Sequence, residues 1–154
     1  MKTIFLLFLL VGSLLANENI KKRVVIDLTT GDLETFKIHI LRAIPKLKLY
    51  YESKLQELKV VVVIHGLAYK FFVKDLAHSP YLNDVKLVKA NDNLVKRINA
   101  ANSLYDIEFV MCEVGMEHQR LSKKEIYPFV KFVPSPSIPL IDMQHDGFAY
   151  IPVP

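Results

Sequence analysis

The chain has 154 residues, of which 51% are hydrophobic and 23% are charged, a composition that excludes disordered and fibrous proteins. Its length suits one domain with a sizeable core and is too short for two comfortable ones. The formal net charge of +4 is mild, and the sequence has no block of Lys and Arg with interleaved aromatic residues, so we expect no nucleic-acid partner.

Residues 1–16 have the pattern of a secretory signal peptide. Lys2 precedes an uncharged apolar run over residues 4–15, and Ala16 supplies the small residue typical of a cleavage site. The run is too short to span a bilayer comfortably. We therefore predict cleavage after Ala16, a periplasmic or secreted mature domain of residues 17–154, and no stable membrane insertion after cleavage. The alternative is that the segment is retained as a signal anchor.

Five short runs of apolar or β-branched residues are typical of strands. They lie at residues 24–28, 60–64, 107–112, 130–133 and 148–151. Residues 60–64 are all β-branched with no polar alternation, which favours a central strand of a parallel sheet that is covered on both faces.

Helical patterns separate these strands. The predicted helices cover residues 33–51, with a kink or restart at Pro45, and residues 92–104, 113–121 and 138–146. Residues 67–77 fit a short helix or an ordered loop. Because strands alternate with helices, we expect right-handed crossovers. The sequence therefore predicts a three-layer α/β/α sandwich around a mainly parallel five-stranded sheet.

Cys112 is the only cysteine, and it ends the third predicted strand just before a predicted helix. A thiol is nucleophilic only as the thiolate, and a helix N-terminus favours that anion through its unpaired N–H groups and its dipole. The charge of Glu113, the next residue, opposes thiolate formation. The alternative is a buried, inert cysteine that packs as a small hydrophobic residue.

Two histidines are candidate proton carriers for this thiol. His65 ends the second predicted strand as Cys112 ends the third, so the two side chains lie within reach of each other if these strands are neighbours. His118 follows Cys112 by six residues in the next loop and helix. For either histidine the alternative role is a hydrogen bond that caps a helix or fixes a loop.

Motifs for other chemistry are absent or weak. The sequence has no glycine-rich nucleotide loop, no His-Glu-x-x-His and no Gly-x-Ser-x-Gly. A cluster of soft ligands that suits copper(I) comprises Met111, Cys112, Met116 and His118. Blue-copper loops order their ligands Cys, His, Met, however, and the α/β pattern differs from a cupredoxin sandwich. We therefore interpret the methionines as core residues and predict no metal and no organic cofactor.

Four segments resemble the DsrE/DsrF-like sulfur-relay family, specifically its exported single-domain members. They are VVVIHGLAYK at 61–70, FVMCEVGM at 109–116, FVPS at 132–135 and QHDGFAYI at 144–151. The resemblance implies a small three-layer α/β subunit that assembles as a homotrimer or hexamer. It also implies that a cysteine at a strand end, here Cys112, carries a persulfide between sulfur donor and acceptor proteins. Residues 113–116 depart from the polar residues common in the family at this point.

Two functions remain as alternatives. One is an exported sulfur carrier that uses Cys112, and the other is a non-catalytic oligomeric binding or assembly subunit in which Cys112 is only packed. Two apolar segments near the C-terminus, residues 134–140 and 148–153, predict either a subunit interface or a cap over the core.

Overall fold

Strands and helices alternate along the chain in the computed structural model, which describes residues 21–154. The predicted signal peptide, residues 1–16, lies outside the described residues. The strands are β1 (Lys22–Leu28), β2 (Leu58–Ile64), β3 (Ile107–Cys112), β4 (Lys131–Val133) and β5 (Ala149–Val153). The α-helices are α1 (Leu33–Ile38), α2 (Ile44–Glu52), α3 (Val85–Ser103), α4 (Glu113–His118) and α5 (Ser137–His145).

The strands form one sheet in the order β4-β3-β2-β1-β5, and every neighbouring pair is parallel. This confirms the predicted five-stranded sheet. β2 lies at its centre, and residues 60–64 are fully buried, because both faces of a central parallel strand are covered. Since all strands run the same way, their carboxyl ends lie along one edge of the sheet, and Cys112 lies on that edge.

The two faces of the sheet are both buried. Side chains alternate along each strand, and one face joins the main hydrophobic core through residues such as Ile26, Val62 and Phe109. The opposite face carries four further buried valines, namely Val25, Val61, Val63 and Val110. The chain steps from β1 to β4 in one direction and returns to the far side of β1 as β5. Right-handed crossovers therefore place α5, which contacts β1 and β5, on the face opposite to the earlier helices. The result is the predicted three-layer sandwich.

The first crossover is one long helical segment that changes its winding near the middle. Asp32 caps α1, since its side chain accepts a hydrogen bond from the Thr35 N–H at 2.7 Å. A π-helical turn, His39–Ala43, joins α1 to α2. Pro45 then lies in the first turn of α2, where its missing N–H costs least. The predicted restart at Pro45 is confirmed.

The second crossover differs from the prediction. α3 begins at Val85, seven residues before the predicted start at 92. Asp84 is the cap, because its carboxylate accepts from the Leu87 N–H at 3.0 Å and also pairs with Lys70 at 2.9 Å. The sequence Asn-Asp-Asn at 91–93 looked like a cap but lies inside the helix, with its side chains partly or fully exposed.

The segment before α3, for which the sequence favoured a short helix or an ordered loop, contains two 3₁₀ turns. They are Ala68–Phe72 and Leu76–His78, and a third such turn, Lys123–Glu125, follows α4. Among residues 21–154, no helix is long and apolar enough to cross a membrane.

Candidate functional site

Cys112 is the last residue of β3 and the N-terminal cap of α4. Only 4% of the residue is exposed. Its thiol donates to the carbonyl oxygen of Pro134, with Sγ and O separated by 3.7 Å. Residues 134–136, Pro-Ser-Pro, connect β4 to α5, and we call them the proline segment. The thiol therefore lies at the predicted edge of the sheet, in contact with the proline segment.

The backbone around Cys112 is held by Tyr69. The Tyr69 hydroxyl donates to the Cys112 carbonyl oxygen at 2.9 Å, and this bond is buried. Burial raises the pKa of Tyr69, and its proximity to Cys112 raises it further, so the hydroxyl stays protonated and available as a donor. A Cβ atom on Gly115 would lie 2.0 Å from the same hydroxyl oxygen. The strand-to-helix junction therefore requires glycine at 115 as long as tyrosine occupies 69.

Glu113, the residue after Cys112, pairs with a lysine. Lys123 Nζ lies 2.6 Å from Glu113 Oε1. Both side chains are well exposed, so the pair adds little stability. Its effect is to reduce the negative field of Glu113 near Cys112.

His65 follows β2 and belongs to a hydrogen-bonded chain of three residues. Its Nε2 lies 2.5 Å from Asp27 Oδ1, and the Tyr150 hydroxyl donates to Asp27 Oδ2 at 2.6 Å. The hydrogen bond to the Asp27 carboxylate raises the pKa of Tyr150. Asp27 lies in β1 and Tyr150 in β5, so three neighbouring strands contribute one residue each. We call Tyr150, Asp27 and His65 the relay cluster.

The strand register places His65 beside Cys112. β2 and β3 are paired as far as Ile64 and Met111. His65 directly follows Ile64, and Cys112 directly follows Met111. By alternation His65 continues the face of Val63 and Cys112 that of Val110, and Cys112 also packs against the main core. Neighbouring strands are about 4.8 Å apart, which brings the two residues within side-chain reach.

His118, the other predicted histidine, occupies a different place. It ends α4, is exposed, and lies six residues from Cys112, which corresponds to about 9 Å along a helix axis. The structure therefore brings His65 to the thiol's edge of the sheet and leaves His118 at the far end of α4. Met111 and Met116 are buried in the hydrophobic core. Within residues 21–154, no three His, Cys, Asp or Glu side chains cluster closely enough to hold a metal ion.

A groove of about 720 Å³ lies at the opposite edge of the sheet from the thiol. It is lined by the end of α2, the start of β2 and the loop before β3, including Leu55, Leu104 and Asp106. No pattern in the sequence indicates this groove. It shares no lining residue with the relay cluster or with Cys112.

The fold agrees with a comparison against protein families. Residues 25–153 match the DsrE/DsrF-like family. The chain belongs to the DsrE/DsrF-like family. The match covers all five strands and contains both Cys112 and the relay cluster.

Individual relatives of this DsrE/DsrF-like protein are distant. An uncharacterized protein of Aquifex aeolicus (strain VF5) is 26% identical over 148 residues, which are 96% of this chain and 62% of the relative. The chain thus spans less than two thirds of that relative's length. The solved structure of MTH1491, a protein of unknown function from Methanobacterium thermoautotrophicum, superposes with a TM-score of 0.58 at 18% identity. That alignment covers 85% of this chain and 98% of MTH1491, and it supports the fold.

Three residues of the candidate site were missed by the sequence interpretation. Asp27 carried a usable signal, because it is the one charge within the apolar part of β1, residues 24–28, and such a charge needs a partner. Tyr150 and Tyr69 carried none, since aromatic residues in a strand and in a short turn are common core residues. Their roles depend on which strands are neighbours, and that order became visible only in the structure.

Proposed function

We propose that this protein is an exported sulfur-relay protein that carries sulfane sulfur as a persulfide on Cys112 and passes it to a partner thiol. One observation supports this best. In a chain of the DsrE/DsrF-like family, the only cysteine ends β3 at the carboxyl edge of the sheet, and His65 directly follows the neighbouring strand β2. Export is proposed from residues 1–16 and places the carrier in the periplasm or outside the cell.

The chemistry needs a thiol, a base and two partner proteins. The Cys112 thiol gives its proton to His65, and the thiolate attacks the outer sulfur of a donor persulfide. A bond forms between Sγ and that sulfur, the donor's S–S bond breaks, and the donor leaves as a thiolate that takes the proton back. The same exchange in reverse delivers the sulfur to an acceptor thiol. Atoms and charge balance without an oxidant, a reductant, a metal or an organic cofactor.

Access to the thiol requires a movement. Cys112 is 4% exposed and contacts the proline segment. A partner therefore displaces residues 134–136 before sulfur is exchanged. These residues connect two elements, and one weak S–H hydrogen bond joins them to the thiol.

Sulfur loading is tested on the purified protein recovered after expression of the full chain. The protein is incubated with polysulfide, or with thiosulfate and a donor sulfurtransferase, and its intact mass is measured. We expect the gain of one sulfur atom, lost on reduction and absent in Cys112→Ser. The same spectrum reports whether the chain starts at Asn17. A wild-type protein that gains no reducible sulfur under any of these conditions would exclude the carrier function.

The second candidate is a non-catalytic assembly subunit, which the near-complete burial of Cys112 favours. In that case a maleimide modifies the thiol only after denaturation, and Cys112→Ala leaves the oligomer unchanged. Rapid modification of the folded protein, with loss of sulfur loading in the same variant, rejects this candidate. The two experiments together separate the two functions.

A further inference from the structure

The relay cluster uses both oxygens of one carboxylate. Asp27 Oδ1 bonds His65 Nε2 at 2.5 Å, and Oδ2 accepts from the Tyr150 hydroxyl at 2.6 Å. The side chains of Asp27 and His65 are 15% and 25% exposed. A mostly buried carboxylate with two donors is held in one orientation, because turning it would break two short hydrogen bonds.

This arrangement fixes the proton position on His65. A carboxylate only accepts hydrogen bonds, so Nε2 of His65 carries the hydrogen in that bond. In the neutral imidazole the other nitrogen, Nδ1, then has the free lone pair. Among the described residues, Nδ1 of His65 makes no hydrogen bond to the protein. The imidazole is therefore prepared to accept one proton at Nδ1.

The register of β2 and β3 relates His65 to Cys112. His65 and Cys112 each follow one residue after the last β2–β3 pair, Ile64 and Met111. The carboxylate of Asp27 holds the imidazole through Nε2. Tyr150 contributes by holding the second oxygen of the same carboxylate.

We propose that Asp27 and Tyr150 are positioning residues that hold His65 as the Nε2–H tautomer, with Nδ1 free to take the proton of the Cys112 thiol. This inference rests on the proposed function for its role in sulfur transfer. The proposed positioning also has consequences that are measurable without any sulfur donor. It extends the site from the cysteine to a chain of four residues on the adjacent strands β3, β2, β1 and β5.

The first test reads the tautomer directly. The side-chain ¹⁵N shifts of the histidines are recorded in the purified protein, and the His65 signals are assigned with His65→Gln. We expect the Nε2–H pattern in the wild type. In Asp27→Asn the amide can donate to Nε2, so we expect a mixture or the opposite tautomer. Unchanged His65 shifts in Asp27→Asn overturn the proposal.

The second test measures the reactivity of the Cys112 thiol. Iodoacetamide is small, and Cys112 is the only cysteine, so the alkylation rate at pH 7 reports on one group. We expect Asp27→Asn and His65→Gln to slow alkylation about tenfold or more, and Tyr150→Phe to slow it less. An unreactive wild-type thiol, or equal rates in wild type and Asp27→Asn, also overturns the proposal.

A matched control is available elsewhere in the chain. His78 Nδ1 pairs with Asp75 Oδ2 at 2.7 Å in an exposed turn, with side chains 85% and 62% exposed. Asp75→Asn should change neither the His65 signals nor the alkylation rate, and a change of similar size would reject a specific role for Asp27. Tyr150→Phe keeps the test decisive if Asp27→Asn fails to fold, because its ring is partly exposed and an alkylation rate equal to that of the wild type would overturn the proposal.

The same samples are then loaded with sulfur as described above. If Asp27→Asn shows the tautomer change and slow alkylation while the wild type loads no sulfur, the positioning stands and the carrier function fails. If the wild type loads sulfur and Asp27→Asn matches it in tautomer, alkylation and loading rate, the carrier function stands and the positioning fails.

Discussion

At the junction of β3 and α4, the side chain of Tyr69 fills the space beside Gly115. An added Cβ at 115 would lie 2.0 Å from the Tyr69 hydroxyl oxygen and 2.6 Å from the ring carbon that carries it. Neither group can retreat freely, because the hydroxyl bonds the Cys112 carbonyl and the ring is buried. Position 115 therefore requires glycine, because a larger side chain would overlap Tyr69.

We predict that Gly115→Ala lowers the free energy of unfolding by about 1–3 kcal/mol, since overpacking in a filled core displaces side chains and backbone. Urea unfolding measures the loss. Val114→Ala, at an exposed position of the same helix, is the control and should change stability by less than about 0.5 kcal/mol. A loss for Gly115→Ala no larger than that of the control would contradict the steric interpretation. Combined with Tyr69→Phe, the two losses should not add, because the residues are in contact.

The buried tyrosines give the protein a dependence on alkaline pH. Burial raises the pKa of Tyr81 to about 12 from an ordinary value of 10.0, and it raises the pKa of Tyr69 and Tyr127 as well. In the unfolded chain these phenols lose their protons near pH 10, whereas in the folded protein they keep them. The folded state therefore binds more protons above pH 10, and its stability falls as pH rises.

We predict that the free energy of unfolding is nearly constant between pH 8 and 9.5 and falls between pH 10 and 12. Tyr81→Phe should reduce the slope of that fall, because it removes one group that ionises only on unfolding. Denaturant titrations at several pH values measure both slopes. Equal slopes in wild type and variant would show that Tyr81 ionises as readily in the folded protein as in the unfolded chain.

Among the elements, two α-helices end on a residue that is unsuited to its backbone conformation. Leu55 follows α2 with a φ of 56°, and Arg120 follows α4 with a φ of 55°. Both helices close with the same pair of hydrogen bonds, from Leu55 and Gln56 after α2 and from Arg120 and Leu121 after α4. This ending favours glycine in the left-handed position, because a Cβ atom is crowded there.

We predict that Leu55→Gly stabilises the protein by about 1 kcal/mol, because it relieves the left-handed strain and loses little packing from a residue that is 86% exposed. Leu104→Gly is the matched control. Leu104 is similarly exposed and caps α3 with a φ of −97°, so glycine gains nothing there and should be neutral or destabilising. Thermal unfolding of the two variants should shift in opposite directions. A parallel shift would show that exposure of leucine, rather than φ, sets the effect.

Particular elements show what the sequence could predict and why. β2 was predicted well because five β-branched residues in a row have few alternatives to a central strand. The start of α3 was predicted wrongly because Asp84 and Asp92 are both good caps, and only the contacts of Leu87 with the core and of Lys70 with Asp84 select the earlier one. The local sequence pattern predicts an element correctly when it allows only one interpretation. Where it allows two, tertiary contacts determine which one forms.

The residues of the candidate site likewise fall into those that the local sequence pattern predicts and those that depend on tertiary contacts. Cys112 and His65 were found because each ends an apolar run, and the ends of parallel strands share one edge. Asp27 and Tyr150 join them through the order of β5, β1 and β2, and β5 is separated from β1 by more than 100 residues of chain. No local pattern specifies which distant strand is added at an open edge of a sheet.

At the scale of the whole molecule, the outer edge formed by β5 and α5 remains apolar and exposed. Ile141 is 64% exposed, and Ile138, Tyr150 and Ile151 are each more than 40% exposed. β5 pairs with β1 on one side only. Exposed apolar residues along an open strand edge favour association with another copy of the chain.

We propose that this edge forms the interface of a trimer or hexamer, and we predict that Ile141→Asp reduces the oligomer to smaller species. Light scattering at micromolar concentration measures the mass. Val88→Asp, on an exposed part of α3, is the control and should leave the mass unchanged. A wild-type mass equal to that of one chain excludes the interface, and each Cys112 then acts within a single subunit.

The contact between the proline segment and the thiol has a consequence for timing. If Cys112 carries sulfur as proposed, the lifetime of its persulfide in the surrounding medium is set by how often this cover opens. A partner that holds the cover open shortens that lifetime only while it is docked. In the proposed carrier, sulfur release then requires an encounter with a partner protein, and the persulfide persists between encounters.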